Sequence, residues 1–448
     1  MPDHVRIHPA GLAGSVRVPG DKSGSHRALL LGALVGGPVQ VAGVAPSGDV
    51  ASTAACLRTL GATVELTADP TTGQLAGTVT GPLGEAVDVL DCGNSGTTLR
   101  LLCGVVAGID GLSVLTGDAS LRRRPVDRVA VPLRAMGARI DARAGGRLAP
   151  VTVRGGSLSG TTWRQPVASA QVKSALLLAG LRAAGPTTVV SPLVSRDHTE
   201  RLLAHLGAGV TSEVGADGVE TVTVRPGPLT GDRIDVVGDP SSAAFWHVAA
   251  AVGTGAVTTV GVGTNPTRTG ALEVLRRMGA EVELAAPGEG TGEPHADVTV
   301  HPAGPGGLAG GLVVGGRTVV DALDELPVLA LAGALSREGL EVVDATELRV
   351  KESDRVATVA AALGALGVEV EPRADGYRVP GGQRPGPGRV DAHGDHRIAM
   401  TAAVAATVAT GPVEITGFAA VATSYPEFLS HLTALGGRVD VLDDPAGG

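Results

Sequence analysis

Six times along the chain an amphipathic segment ends in Leu or Met, then Gly, then a short alternating strand. The copies are Leu60-Gly61, Met136-Gly137, Leu206-Gly207, Met278-Gly279, Leu366-Gly367 and Leu435-Gly436. A second series interleaves with the first. It consists of apolar helices that open on polar residues and stop at Gly: 22–36, 94–108, 169–185, 241–255, 324–339 and 395–411. One supersecondary unit of about 75 residues, used six times, therefore accounts for nearly the whole chain.

The first copy shows the order of elements. A helix over 23–35 is nearly all apolar after Arg27, so it is buried on most sides. Gly36-Gly37 ends it and the strand 38–44 follows. Pro46-Ser47-Gly48-Asp49 starts a second helix, 49–60, whose last turn gives Gly61 and the strand 62–66. One helix of each unit is apolar all round and the other amphipathic. Such a pair is accommodated by burying the first kind in a domain centre, packing the second over it and placing sheets outside. This predicts an α/β (α+β) protein of six βαβαββ-type units, three per domain. Domain I is expected to be discontinuous, 1–20 plus 240–448, and domain II to be 21–239. The leading strand, 5–20, then belongs with the far half, a strand over 234–239 precedes the fourth unit, and hinges fall near 19–21 and 238–240. Residues 442–448 read as a frayed tail.

Composition narrows the function. With aromatics at 2% and 67 glycines, the cores must be built from Ala, Leu and Val. A net charge of −9 argues against nucleic acid, which requires a basic face. Three cysteines, Cys56, Cys92 and Cys103, are too few and too scattered for a disulfide framework or a zinc site, which fits a reducing, cytoplasmic setting. The N-terminus has neither signal-peptide nor transit-peptide character. The long uncharged stretches, near 241–268 and 398–413, are broken by Gly and read as buried helix plus strand rather than membrane spans.

The chemistry gathers at the starts of the greasy helices. These carry Lys22, Ser23, Ser25 and Arg27; Asn94, Ser95 and Thr97; Ser169, Gln171 and Lys173; Asp324 and Glu325; and Asp395, His396 and Arg397. Loops ahead of the amphipathic helices add Arg122 to Arg124, Arg196, Asp197, His198, Arg268, Lys351, Glu352 and Arg355. Taken singly, each is an ordinary N-cap or a solvated charge. Their recurrence at equivalent places in a repeat favours a cationic mouth built from helix N-termini, suited to small phosphates or carboxylates. The segment PGDKS (19–23) is not a phosphate loop, because Asp21 stands where that loop needs Gly before Lys.

Eight segments in order, PGDKSGSHRALLLGAL (19–34), GNSGTTLRLL (93–102), RRRPVDR (122–128), SAQVKSALLLAG (169–180), SRDHTE (195–200), NPTR (265–268), LRVKESDR (348–355) and GDHRIAM (394–400), resemble the 5-enolpyruvylshikimate-3-phosphate synthase family, and its class II subgroup in particular. The resemblance spans essentially the full length. It implies two domains of three units that close on substrate. The implied reaction transfers the enolpyruvyl group of phosphoenolpyruvate to the 5-hydroxyl of shikimate 3-phosphate and releases phosphate. It passes through a tetrahedral intermediate, without cofactor or metal, in the shikimate pathway to aromatic amino acids, as a cytoplasmic monomer.

By motif position, the resemblance assigns Lys22, Ser23, Arg27, Ser169, Ala170, Gln171, Arg196, Asp324 and Lys351 to shikimate 3-phosphate. Lys22, Asn94, Gly96, Thr97, Arg124, Gln171, Arg355 and Arg397 go to phosphoenolpyruvate. Asp324 is expected as the base for the hydroxyl and Glu352 as the acid for the methylene carbon, with Lys22 or His396 assisting the departing phosphate. The assignments of the two carboxylates are interchangeable between steps. Thr423 stands where many members have Lys near the phosphate, so that charge is missing or supplied elsewhere, for instance by Lys351. Gly96, where some members have Ala, leaves room for glyphosate, whereas class II character predicts partial tolerance.

Two rivals share the repeats. A UDP-N-acetylglucosamine enolpyruvyl transferase typically carries a reactive Cys within the loop corresponding to 112–124, and this chain has none there. A non-catalytic anion-binding homologue has no use for both Asp324 and Glu352 among cations.

Overall fold

The computed structural model describes residues 1–70 and 72–443. The chain divides into two compact units. The first comprises Met1–Pro19, Gly238–Gly288 and Pro294–Gly448, and the second Gly20–Val237 with Glu289–Glu293. That last segment, the tip of a hairpin between strands Val282–Gly290 and Glu293–Val300, groups with the second unit although its sequence lies within 240–448. Of the expected tail, 444–448 lies outside the described residues.

Among the described residues, each unit has three buried helices. In the second they are Lys22–Val35, Gly96–Ala107 and Ala170–Gly180. In the first they are Pro240–Val252, Leu326–Leu335 and His396–Val408. Five of the six are capped by a polar side chain that accepts a backbone N–H: Asp21 from Gly24 at 2.6 Å, Ser95 from Thr98 at 3.1 Å, Ser169 from Val172 at 3.5 Å, Asp239 from Ser241 at 2.9 Å and Asp395 from Arg397 at 3.0 Å. The sixth, Leu326–Leu335, has no side-chain cap and carries Pro327 in its first turn, where a missing N–H costs nothing. It therefore begins two residues later than the pattern from 324 implies, leaving Asp324 and Glu325 in the turn ahead of it.

Among the described residues, six four-stranded sheets stand around the helices, three per unit. The middle repeat of the second unit is typical. Leu90–Asp91 runs parallel to Gly111–Thr116, which pairs antiparallel with Leu148–Gly155, and Arg139–Ala142 forms the far edge. A parallel pair needs a crossover, and the Gly96–Ala107 helix supplies it. The segment 5–20, read from sequence as one strand, is two. His4–His8 lies between Val413–Thr416 and Arg438–Val441, whereas Gly14–Val16 pairs with Val257–Gly263 in another sheet. Pro9, which lacks a ladder donor, follows directly on the first of them. The strand expected over 234–239 is likewise shorter, Arg233–Asp235, and runs parallel to Pro38–Val44.

The cores differ in what fills them. Phe245, Trp246, Tyr377, Phe418, Tyr425 and Phe428 are all buried in the first unit. There Trp246 stacks on Phe428 at 4.7 Å between ring centres and donates its indole N–H to Tyr425 at 2.9 Å. The second unit has Trp163 as its only aromatic side chain and packs Ala, Leu, Val and the three cysteines. Small residues let its helices approach closely. A Cβ on Gly104 would lie 2.2 Å from the carbonyl oxygen of Ala175, so only Gly fits where those two helices touch.

Candidate active site

In the second unit the expected residues from three repeats meet around the helix starts. Lys22, the first residue of its helix, is ion-paired with Asp49 at 2.6 Å. Arg27, one turn further in, is almost fully buried. Its Nε donates to the Thr199 hydroxyl at 2.6 Å, one terminal nitrogen to the Ser23 carbonyl at 3.0 Å and the other to the Ser174 hydroxyl at 2.7 Å. Burial pushes this guanidinium down to about 10, against the pull of Glu200 and Asp21. Arg196 lies near enough to oppose the Arg27 charge. Two cations held together in this way favour an anion between them.

The second cluster joins the Asn94 turn to the helix Ala170–Gly180. Arg124 donates to the Asn94 side-chain oxygen at 2.7 Å and to its carbonyl at 3.3 Å. The amide nitrogen of Asn94 donates to Asp118 at 2.6 Å. Gln171 bridges two repeats, donating to Thr97 at 2.9 Å and accepting from Arg100 at 2.6 Å. Gly96 opens its helix beside both arginines. A Cβ there would stand 3.0 Å from an Arg100 nitrogen and 3.5 Å from one of Arg124. Ser169 caps the next helix and Ala170 is its first residue.

In the first unit the carboxylates converge on one buried cation. Arg355 is 1% exposed and meets Asp395 at 2.9 Å, Glu352 at 2.6 Å and Asp324 at 3.1 Å. Burial alone would lower it, but these three carboxylates hold it above the ordinary arginine value. Asp395 is buried too, which would raise it, yet Arg355 keeps it below the usual carboxylate range. Asp324 has Lys351 at 3.5 Å and Arg397 at 3.9 Å besides Arg355, while its carbonyl accepts from Arg397 at 3.0 Å. The buried imidazole of His396 lies 3.3 Å from the Thr423 hydroxyl. Thr423 itself donates to the Ala420 carbonyl at 2.8 Å. Beside this cluster Arg268 donates to Asp239 and to Ser241, which bonds Glu325.

Every residue expected at the site thus lies at a helix start or in an adjoining loop of one unit or the other. Three members were missed: Asp49, Arg100 and Asp118. Asp49 opens an amphipathic helix and reads as a favourable first-turn charge. Arg100 sits inside GNSGTTLRLL and was the one legible signal, a lone cation in an apolar helix. Lys173, grouped by sequence with the helix-start residues, is fully buried and turns away into the interior.

The EPSP synthase (3-phosphoshikimate 1-carboxyvinyltransferase) family model matches residues 8–432. A protein named 3-phosphoshikimate 1-carboxyvinyltransferase from Synechococcus sp. (strain RCC307) is 50% identical over 95% of this chain and 97% of its own length. Its namesake from Roseiflexus castenholzii is 49% identical over 96% and 98%. Among solved structures, EPSP synthase from Acinetobacter baumannii superposes with a TM-score of 0.84 at 37% identity, covering 98% of this chain and all of that one.

Proposed function

This chain belongs to the EPSP synthase family, and we propose that it transfers the enolpyruvyl group of phosphoenolpyruvate to the 5-hydroxyl of shikimate 3-phosphate, releasing phosphate. The observation that carries the reading is the pairing of chemistries in one chain. The second unit gathers Lys22, Arg27, Arg100, Arg124 and Arg196 around helix N-termini, and the first places Asp324 and Glu352 against Arg355.

In this reading Ser23, Arg27, Ser169, Ala170, Gln171 and Arg196 hold shikimate 3-phosphate, with Lys351 beside its ring. Arg124, Arg355 and Arg397, with the Asn94–Thr97 turn, hold phosphoenolpyruvate, and Lys22 contacts both. Binding two anions to preset cations places the attacking oxygen near the enol carbon and offsets their mutual repulsion. Asp324 takes the proton of the 5-hydroxyl as its oxygen bonds to that carbon, with Lys351, Arg355 and Arg397 standing around it. Glu352 delivers a proton to the methylene, giving the methyl group of the tetrahedral intermediate. Loss of a methyl proton back to a carboxylate then expels phosphate, which Lys22 or His396 assists.

The UDP-sugar alternative is disfavoured because all three cysteines are buried, Cys103 within a core helix, and none is placed as a nucleophile or acid. The test is phosphate release from phosphoenolpyruvate with either acceptor. Release with shikimate 3-phosphate alone is expected. Release with UDP-N-acetylglucosamine alone would overturn the acceptor, and release with neither would favour a non-catalytic homologue.

A further inference from the structure

Lys173 is fully buried in the core of the second unit, an unusual place for an ammonium group. It pairs with Glu200 at 2.5 Å and Glu220 at 2.8 Å and donates to the Ser195 carbonyl at 3.3 Å. Burial would lower its affinity for a proton, but the two carboxylates raise it above the ordinary lysine value. Stability does not explain this arrangement, since a buried ion cluster replaced by apolar groups of like volume is commonly as stable or more so.

Its neighbours suggest another use. Ser195 immediately precedes Arg196, and Glu200 lies in the first turn of the helix His198–His205. Three consecutive residues of that turn are tied to different elements. His198 bonds Glu293 at 2.8 Å, Thr199 accepts from Arg27 and also bonds Ser174 at 2.6 Å, and Glu200 meets Lys173. Asp197 pairs with Arg201 one turn on. The segment SRDHTE is therefore a framework in which most side chains fix the backbone that carries Arg196.

We propose that Lys173 is a positioning residue for the acceptor. Through the Ser195 carbonyl and Glu200 it fixes the first turn of the helix His198–His205, and with it Arg196 and the Thr199 hydroxyl that orients Arg27. Ser174, next to Lys173 on the same helix, holds another nitrogen of Arg27, so one stretch of chain sets both arginines. The inference rests on the reading of Arg27 and Arg196 as groups that bind shikimate 3-phosphate.

The decisive variant is Lys173→Met combined with Glu200→Gln and Glu220→Gln, which keeps volumes and leaves no unpaired buried charge. Its Kd and KM for shikimate 3-phosphate are expected to rise about 10-fold, with kcat and the KM for phosphoenolpyruvate within about twofold. Glu200→Gln, the milder change, is expected to weaken the acceptor by about threefold. Glu220→Gln, which leaves the ties to Glu200 and Ser195 in place, should lower the melting temperature without moving acceptor affinity. Wild-type acceptor affinity in either the triple variant or Glu200→Gln would overturn the proposal, as would equal losses for both substrates. Arg196→Ala separates the two readings. If it too binds acceptor normally, the site assignment falls together with the inference, whereas weak binding there beside normal binding in the triple variant sinks the inference alone.

Discussion

The two units share one scaffold and use their buried charges in opposite ways. In the second, the cations Arg27 and Lys173 lie deep, held by hydroxyls, carbonyls and glutamates behind the helix starts. In the first, one cation, Arg355, gathers three carboxylates at the helix starts themselves. The first arrangement anchors buried cations behind helix starts that carry positive charge. The second holds Asp324, Glu352 and Asp395 in order around Arg355. The same three-helix repeat supports both because each repeat offers a helix start and a preceding loop, and only the residues set there differ.

The contrast is most easily broken at its anion-holding end. Lys22→Ala is expected to lower turnover by about 10²–10³-fold, the scale of losing one preset charge contact, with little change in melting temperature. Turnover near wild type would remove Lys22 from the mechanism. The cores offer a sharper contrast. Trp246→Ala empties the centre of the first unit's aromatic cluster and should cost about 3–5 kcal/mol, whereas Trp163→Ala, at a half-buried strand position, should cost about 1 kcal/mol or less. Equal costs by chemical denaturation would contradict the packing difference.

A smaller effect concerns protons. His247 in the first unit is fully buried and desolvation lowers it to about 3, while its Nε2 shares a hydrogen bond with Thr259 at 2.7 Å. His26 in the second is also held well below 6.5, by burial first and by Lys22 and Arg27 as well. A neutral buried imidazole means that the unfolded chain binds the proton first as pH drops. Stability is therefore full above about 6.5 and is lost as pH falls toward the folded value. By pH 5 His247 should cost about 2 kcal/mol. His247→Gln is expected to shrink the difference between denaturation free energies at pH 7 and pH 5 by that amount, and an unchanged difference would contradict the account. Smallest of all, Gly96→Ala presses a methyl group toward Arg100 and Arg124. It should raise the KM for phosphoenolpyruvate about threefold and leave the acceptor's alone, and equal effects on both would misplace the Asn94–Thr97 turn.

The repeats were legible because Leu-Gly and Met-Gly endings and all-apolar helices are local signals, and local signals also located the caps Ser95, Ser169 and Asp395. What escaped was tertiary. Lys173 reads as one more polar helix-start residue until Glu220, on the distant strand Glu220–Val224, is seen to meet it. The division of 5–20 into strands of two different sheets depends on partners more than two hundred residues away. Arg100 and Asp49 matter through what they touch, Gln171 and Lys22, and spacing along the chain does not encode those contacts.

Whether the residues around Arg196 hold the acceptor while Asp324 moves its proton is decided by calorimetric titration of shikimate 3-phosphate into Asp324→Asn and Arg196→Ala, with turnover measured alongside. Asp324→Asn is expected to bind the acceptor within about threefold of wild type yet to turn over about 10³-fold more slowly, while Arg196→Ala loses affinity in the titration itself. Loss of acceptor binding in Asp324→Asn, or undiminished turnover, would contradict this assignment of roles.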